Sequence, residues 1–177
     1  MTVFVALLRA VNVGGTGKLP MAELKRIAEE LGFGSPRTFI ASGNLLFTSS
    51  KSEATVRAAL EKRLAEHMGK PVAVMVRTAA EMAAVASANP FPEAPGRRVL
   101  ATFLHEAPPR NALDEARGLE GERLALGNRE IYVDYCGPLL GRSKLRIPAV
   151  ATGTARNMNS VAKLAEMAKE LALLEDE

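Results

Sequence analysis

The chain has no tryptophan, one cysteine and two histidines among its 177 residues, and aromatic side chains make up only 5%. One cysteine excludes an intramolecular disulfide. His67, His105 and Cys136 stand far apart in sequence, and no two share ligand spacing, so no metal site is expected. Recognition of single strands by base stacking draws on aromatic platforms. Phe39 and Phe47 fall on strand-like segments, but no RNP signature surrounds them. No apolar run approaches the ~18 residues of a membrane span. No basic segment followed by an apolar core and a small-residue cleavage site is found at the N-terminus. These absences predict a soluble cytoplasmic protein with no cofactor and no membrane partner.

What is present is an ordinary globular composition, 47% hydrophobic and 24% charged, long enough for one domain or two small ones. The formal charge of +3 is unevenly placed. Residues 1–77 hold 11 Lys or Arg against 6 Asp or Glu, whereas residues 78–177 hold 12 against 14. A basic first half attracts nucleic acid, nucleotides or an acidic partner, and equally serves as a solvated surface.

The first half is organised around one loop. Val3–Leu8 is a short apolar run with two β-branched residues, which suits a buried strand. Gly14, Gly15 and Gly17 follow, and Pro20 suits the first position of a helix. Met21, Leu24, Ile27, Ala28 and Leu31 then recur at helical spacing up to Gly32. A strand, a glycine loop and a helix in this order converge backbone N–H groups on an anion. The loop is no Walker A motif, because Asn12 and Leu19 occupy the places of its first glycine and its Ser or Thr. It also lacks the third glycine of a dinucleotide fingerprint.

Further along, Arg37–Ala41 and Leu45–Thr48 read as strands of a tight hairpin turning at Ser42-Gly43-Asn44, where Gly and Asn tolerate left-handed backbone. A helix opening at Ser52 or Glu53 carries Val56, Leu60, Leu64 and Met68 and stops at Gly69, with His67 as a favourable charge in its last turn. Val72–Val76 follows as a strand. Residues 1–77 thus read β-α-β-β-α-β, the ferredoxin-like order.

Thr78 and Glu81 have capping-box spacing before a helix with Met82, Val85 and Ala86. Asn89-Pro90-Phe91-Pro92 leads a proline-rich connection. The spacing then predicts a strand over Arg98–Leu104, a helix over Arg110–Arg117, and strands over Glu122–Leu126 and Glu130–Tyr135 paired across Gly127-Asn128. Ala125-Leu126-Gly127-Asn128 lies 84 positions after Ala41-Ser42-Gly43-Asn44, and both precede a strand, which suggests a duplicated unit. Cys136–Thr154 is expected to be irregular. A last helix carries Val161, Leu164, Ala165, Ala168 and Leu171, capped by Asn157, Asn159 or Ser160.

Several of these motifs together resemble the bacterial DUF1697 family. They are Ala6–Gly15, Lys18–Leu24, Ser42-Gly43-Asn44, Asn89–Pro92, Gly141–Leu145 and Thr154–Val161. The resemblance covers nearly the whole chain and implies an α+β fold of two ferredoxin-like (βαββαβ-type) repeats with antiparallel sheets and a C-terminal helix. The first unit would span residues 1–77 and the second 78–177. It implies no activity, since the family is defined by unknown function. Two positions depart from the family pattern: Ala10, where glycine is common, and Met158, where tryptophan is common. A stacking ring at the second position is therefore not expected.

The candidate site is basic and rich in amides. Arg9, Asn12, Gly14, Gly15 and Lys18 lie in the first loop, Ser42 and Asn44 in the hairpin, Arg142 and Lys144 with Ser143 in the irregular segment, and Arg156, Asn157 and Asn159 before the last helix. Arg grips phosphate or carboxylate through paired hydrogen bonds, and Asn and Ser complete the shell. In this reading Arg9, Lys18 and Arg156 supply charge while Asn12, Asn44 and Asn157 position the ligand. The same residue types also tie loops and cap helices. No paired carboxylates or triad stand out, and Cys136 has neither a helix N-terminus nor a cation within two residues to activate it. Three classes follow: a module binding an anionic small molecule or nucleic acid, an enzyme acting on a small anionic substrate, or an interaction and assembly module.

Overall fold

The computed structural model describes residues 1–13 and 18–177. Gly14 and Gly15 of the expected site lie outside the described residues. The chain divides into two compact units, Met1–Met82 with Leu164–Glu177, and Ala83–Lys163. The sequence reading set the division between residues 77 and 78. No linker exists there, because the capping box starts a helix at once: the Glu81 carboxylate accepts the Thr78 N–H at 2.9 Å, and the Thr78 hydroxyl accepts the Glu81 N–H at 3.2 Å.

In the first unit, β1 (Thr2–Leu8), α1 (Met21–Glu30), β2 (Gly34–Thr38), β3 (Asn44–Ser49), α2 (Glu53–Met68) and β4 (Val74–Thr78) follow in order. The four strands form an antiparallel sheet of order β2-β3-β1-β4. Alternation along the strands turns Phe4, Ala6 and Leu8, Leu45 and Phe47, and Val74 and Val76 into one core with Leu24 and Ile27 of α1 and Val56, Leu60 and Leu64 of α2. Phe33 stacks on Phe47 at 4.3 Å between ring centroids. Ser52 caps α2 by accepting the Thr55 N–H, and Gly69 ends it in left-handed conformation at φ +71.

Three details differ from the sequence reading. Pro20 is the N-cap of α1 with extended ψ, so the helix starts one residue later. The strand predicted at Arg37–Ala41 is β2 at Gly34–Thr38, and the hairpin turn is correspondingly longer, closed by the Phe39 N–H on the Asn44 carbonyl at 3.1 Å. Its left-handed residues are Ile40 and Gly43, whereas Asn44 already belongs to β3. β4 runs two residues further than Val76, to Thr78.

α3 (Ala79–Ser87) and α4 (Met158–Glu175) each cross the boundary between the units. The second unit holds β5 (Val99–Phe103), β6 (Arg123–Leu126), β7 (Glu130–Asp134) and β8 (Thr154–Asn157). They form an antiparallel sheet of order β6-β7-β5-β8, the same order as the first sheet counted from its own first strand. Leu104, Ile131, Val133, Leu145 and Ile147 make its core with Ala112.

The helix expected over Arg110–Arg117 is a single 3-10 turn at Ala112–Glu115. Pro108 and Pro109 precede it. At Gly118, φ is +74 and an added Cβ would lie 2.4 Å from the Lys144 carbonyl oxygen, so the chain turns away there. Arg117 instead exchanges both backbone hydrogen bonds with Arg146, each 2.8 Å. β8 falls at the point where sequence reading passed from irregular chain to helix.

Candidate functional site

In the first unit, β1 delivers the chain into the loop and β3 delivers it out of the hairpin. The two meet through Asn12. Its Nδ2 donates to the carbonyls of Leu19 at 2.8 Å and Ala41 at 2.7 Å, and its Oδ1 accepts the Leu19 N–H at 2.7 Å. One side chain therefore closes the loop at its base and ties it to the hairpin. Gly43 permits the approach, since a Cβ there would meet Val11 at 2.6 Å and Leu8 at 3.0 Å. Two non-glycine residues take left-handed backbone in the turn, Ala10 at φ +55 and Asn12 at φ +54. Asn tolerates that region, whereas Ala does so at a cost of ~1–2 kcal/mol.

Asn44 is fully buried, and its Nδ2 donates to the Phe39 carbonyl at 2.9 Å and to the Ser42 hydroxyl at 3.1 Å. Asn12, Ser42 and Asn44 are thus brought together as the frame of this loop cluster. Arg9 and Lys18 are exposed on either side of the loop, and Val13 in the loop and Ile40 in the hairpin turn are exposed at 57% and 49%. No carboxylate, imidazole or thiol occurs in segments 9–13, 18–20 or 41–44, so the cluster offers cations and N–H donors but no acid–base pair.

The remaining candidates fall in the second unit. Arg156 lies on β8 with 7% exposure, and its Nη1 donates to the Thr154 hydroxyl at 2.8 Å and the Ala155 carbonyl at 2.9 Å. Burial pushes its pKa down to about 10. Asn157 caps α4, its Oδ1 accepting the Ser160 N–H at 2.9 Å, which decides among the three caps the sequence left open. Asn159 is exposed and packs where a Cβ on Gly96 would come within 2.1 Å of its Oδ1. Arg142 and Lys144 are exposed and flank Ser143, whose hydroxyl donates to Glu122 at 2.5 Å. That hydroxyl and the Glu120 amide hold the Glu122 carboxyl below its ordinary pKa.

The proline-rich connection is also explained within this unit. Asn89 Oδ1 accepts the Phe91 N–H at 2.9 Å, and the Arg123 guanidinium lies 4.4 Å from the Phe91 ring centre. Arg123 reaches Glu93 and Asp134, each at 2.6 Å, and Arg98 reaches the other Asp134 oxygen at 3.0 Å. Burial alone would raise the Asp134 pKa, but the Cys136 amide and the two guanidinium groups outweigh it and lower the pKa. Sequence reading missed this cluster. Its only signal was an aspartate closing an apolar strand. Cys136 is half-buried after β7, with its thiol on the Gly121 carbonyl at 3.2 Å.

Among the described residues, no group of three His, Cys, Asp or Glu side chains is arranged to hold a metal ion, and no helix is long and apolar enough to cross a membrane.

Two antiparallel four-stranded sheets of one strand order, with a C-terminal helix, define a mixed α+β protein. The fold is shared with a solved structure described as conserved bacterial protein SP0830 from Streptococcus pneumoniae. The two are 23% identical with a TM-score of 0.76, covering 94% of this chain and 98% of that one. A family model described as protein of unknown function (DUF1697) matches residues 1–132, and the chain belongs to that family. No curated protein matches the sequence.

Proposed function

We propose that this chain is a binding module for a phosphate-bearing or other anionic ligand, nucleic acid included, and that the loop from Arg9 to Lys18 in the first unit is its site. The observation that carries this reading is the threefold hydrogen bonding of Asn12, which fixes the two ends of a glycine-rich loop with Arg9 and Lys18 exposed at its flanks. With Asn12, Leu19 and Ala41 already tied together, these flanks need no ordering when an anion arrives, which favours affinity. Arg9 and Lys18 would supply charge. Asn12 and Asn44 would shape the backbone rather than touch the ligand. Arg156, buried beside Thr154, is left out of the site, and Arg142 and Lys144 form a separate exposed basic pair. The same reading takes each sheet, by its strand order, as one ferredoxin-like repeat, the second having 3-10 turns where the first has helices.

The test is binding of labelled single- and double-stranded RNA and DNA, with inorganic phosphate as competitor, between roughly 50 and 200 mM salt. Saturable binding that falls steeply with salt is expected. The Arg9→Ala/Lys18→Ala double variant should weaken it by about tenfold with an unchanged melting temperature. Absence of saturable binding at low salt, or equal binding by the double variant, would overturn the proposal.

A further inference from the structure

The second unit contains an open cleft of about 610 Å³ lined from segments 104–115 and 148–152. Its volume lies in the ~300–1,000 Å³ range of small-molecule sites. The walls are built in advance. The prolyl rings of Pro108, Pro109 and Pro148 have fixed φ, and the lining segments include two 3-10 turns, Ala112–Glu115 and Pro148–Val150. The backbone pair between Arg117 and Arg146 ties the segments carrying these turns. The Arg129 guanidinium donates from Nε at 2.9 Å and from Nη2 at 2.5 Å to the His105 carbonyl, and the Arg129 carbonyl accepts the Leu104 N–H at 2.9 Å. The strand end that forms one margin is therefore anchored.

The lining side chains carry negative formal charge only, with the Arg129 and Arg117 guanidinium groups held outside them on the His105 and Glu115 carbonyls. Glu106 and Glu115 contribute carboxylates and His105 an imidazole, and among the described lining residues there is no lysine or arginine. The other lining groups are mostly proline, alanine and leucine. Carboxylates at an apolar cleft accept charge-assisted hydrogen bonds from an ammonium group, while the prolyl and alanyl surfaces cover its hydrocarbon part. We propose that this cleft binds a small organic cation, an ammonium group carried on an apolar body. This site is opposite in charge to the Arg9–Lys18 loop and stands or falls independently of it.

The experiment is a titration of the ¹⁵N-labelled full chain, followed by amide shifts, with phenethylamine and separately with phenylacetate, at low salt. The amine should give saturable shifts confined to residues 104–115 and 148–152, and phenylacetate should give none there. Glu106→Gln/Glu115→Gln should weaken the amine by about fivefold to tenfold while the remaining spectrum is unchanged. Ala107→Trp, which fills the cleft without altering its charge, should abolish the shifts. No saturable shift with phenethylamine, equal shifts with phenylacetate, or undiminished binding by the double glutamine variant would overturn the proposal.

Discussion

Ala10 is the residue at which local backbone chemistry and the side chain are least matched. Its φ of +55 is a region glycine enters freely and alanine does not. The resemblance to the family implies glycine there, and the left-handed turn supplies a physical reason. Ala10→Gly should therefore raise the unfolding free energy, by about 0.5–1 kcal/mol once the greater freedom of unfolded glycine is subtracted from the relieved strain. Urea unfolding of both proteins would check it; an equal or lower stability of the glycine variant would show that the turn holds alanine without strain. Asn12, two residues on, was legible in the sequence as a polar residue beside a glycine loop. What could not be read was that all three of its hydrogen bonds go to backbone 7 and 29 residues away. A side chain that recognises a ligand and one that recognises its own chain have the same composition, and only the partner separates them. The place of Arg156 was hidden for a related reason: the pairing of β8 with β5 sets it opposite Ala101 in a sheet.

At the scale of elements, the first half was the more readable because helical spacing and strand runs there are long and uninterrupted. α2, with Val56, Leu60 and Leu64 buried at four-residue spacing, was read with its cap and its terminating glycine in place. The Arg110–Arg117 segment had helical residue types but stands between two prolines and a glycine at which a Cβ would have no room, so tertiary geometry overrode propensity. β8 was missed because a four-residue strand with a buried arginine has no apolar alternation to detect. The two glycines ending these segments give a direct comparison. Gly69 and Gly118 both have positive φ, but only Gly118 has backbone within reach of a Cβ. Gly69→Ala should cost about 1 kcal/mol, the ordinary left-handed penalty. Gly118→Ala should cost about 2 kcal/mol more, through displacement of the Lys144 carbonyl and the adjoining Arg117–Arg146 pair. Paired thermal melts would decide it, and equal losses would mean that the segment near Lys144 yields at little cost.

Across the whole molecule, ionisable groups are unequally distributed between the units. Among the described residues, the buried carboxylates Glu122, Glu130 and Asp134 all lie in the second unit, whereas the buried polar groups of the first are Asn44, Thr48, Ser49 and Arg77. The Asp134 and Glu122 pKa values are lowered by folding. Groups lowered in this way stabilise fully above the unfolded carboxylate value near ~4, and that stabilisation is lost as pH falls through the folded values. The second unit should accordingly lose amide protection at higher pH than the first during acid titration, and Asp134→Asn should flatten the acid limb. Hydrogen exchange between pH 2 and 5 would show it; simultaneous loss in both units would contradict the assignment. The division of the chain has a consequence for its synthesis. The first unit includes Leu164–Glu177, and all four strands of the second unit precede that segment in the chain. The usual N-terminal-first order of domain completion on the ribosome is therefore reversed, since β5 to β8 have all emerged while the unit begun first still awaits its final three or four helical turns.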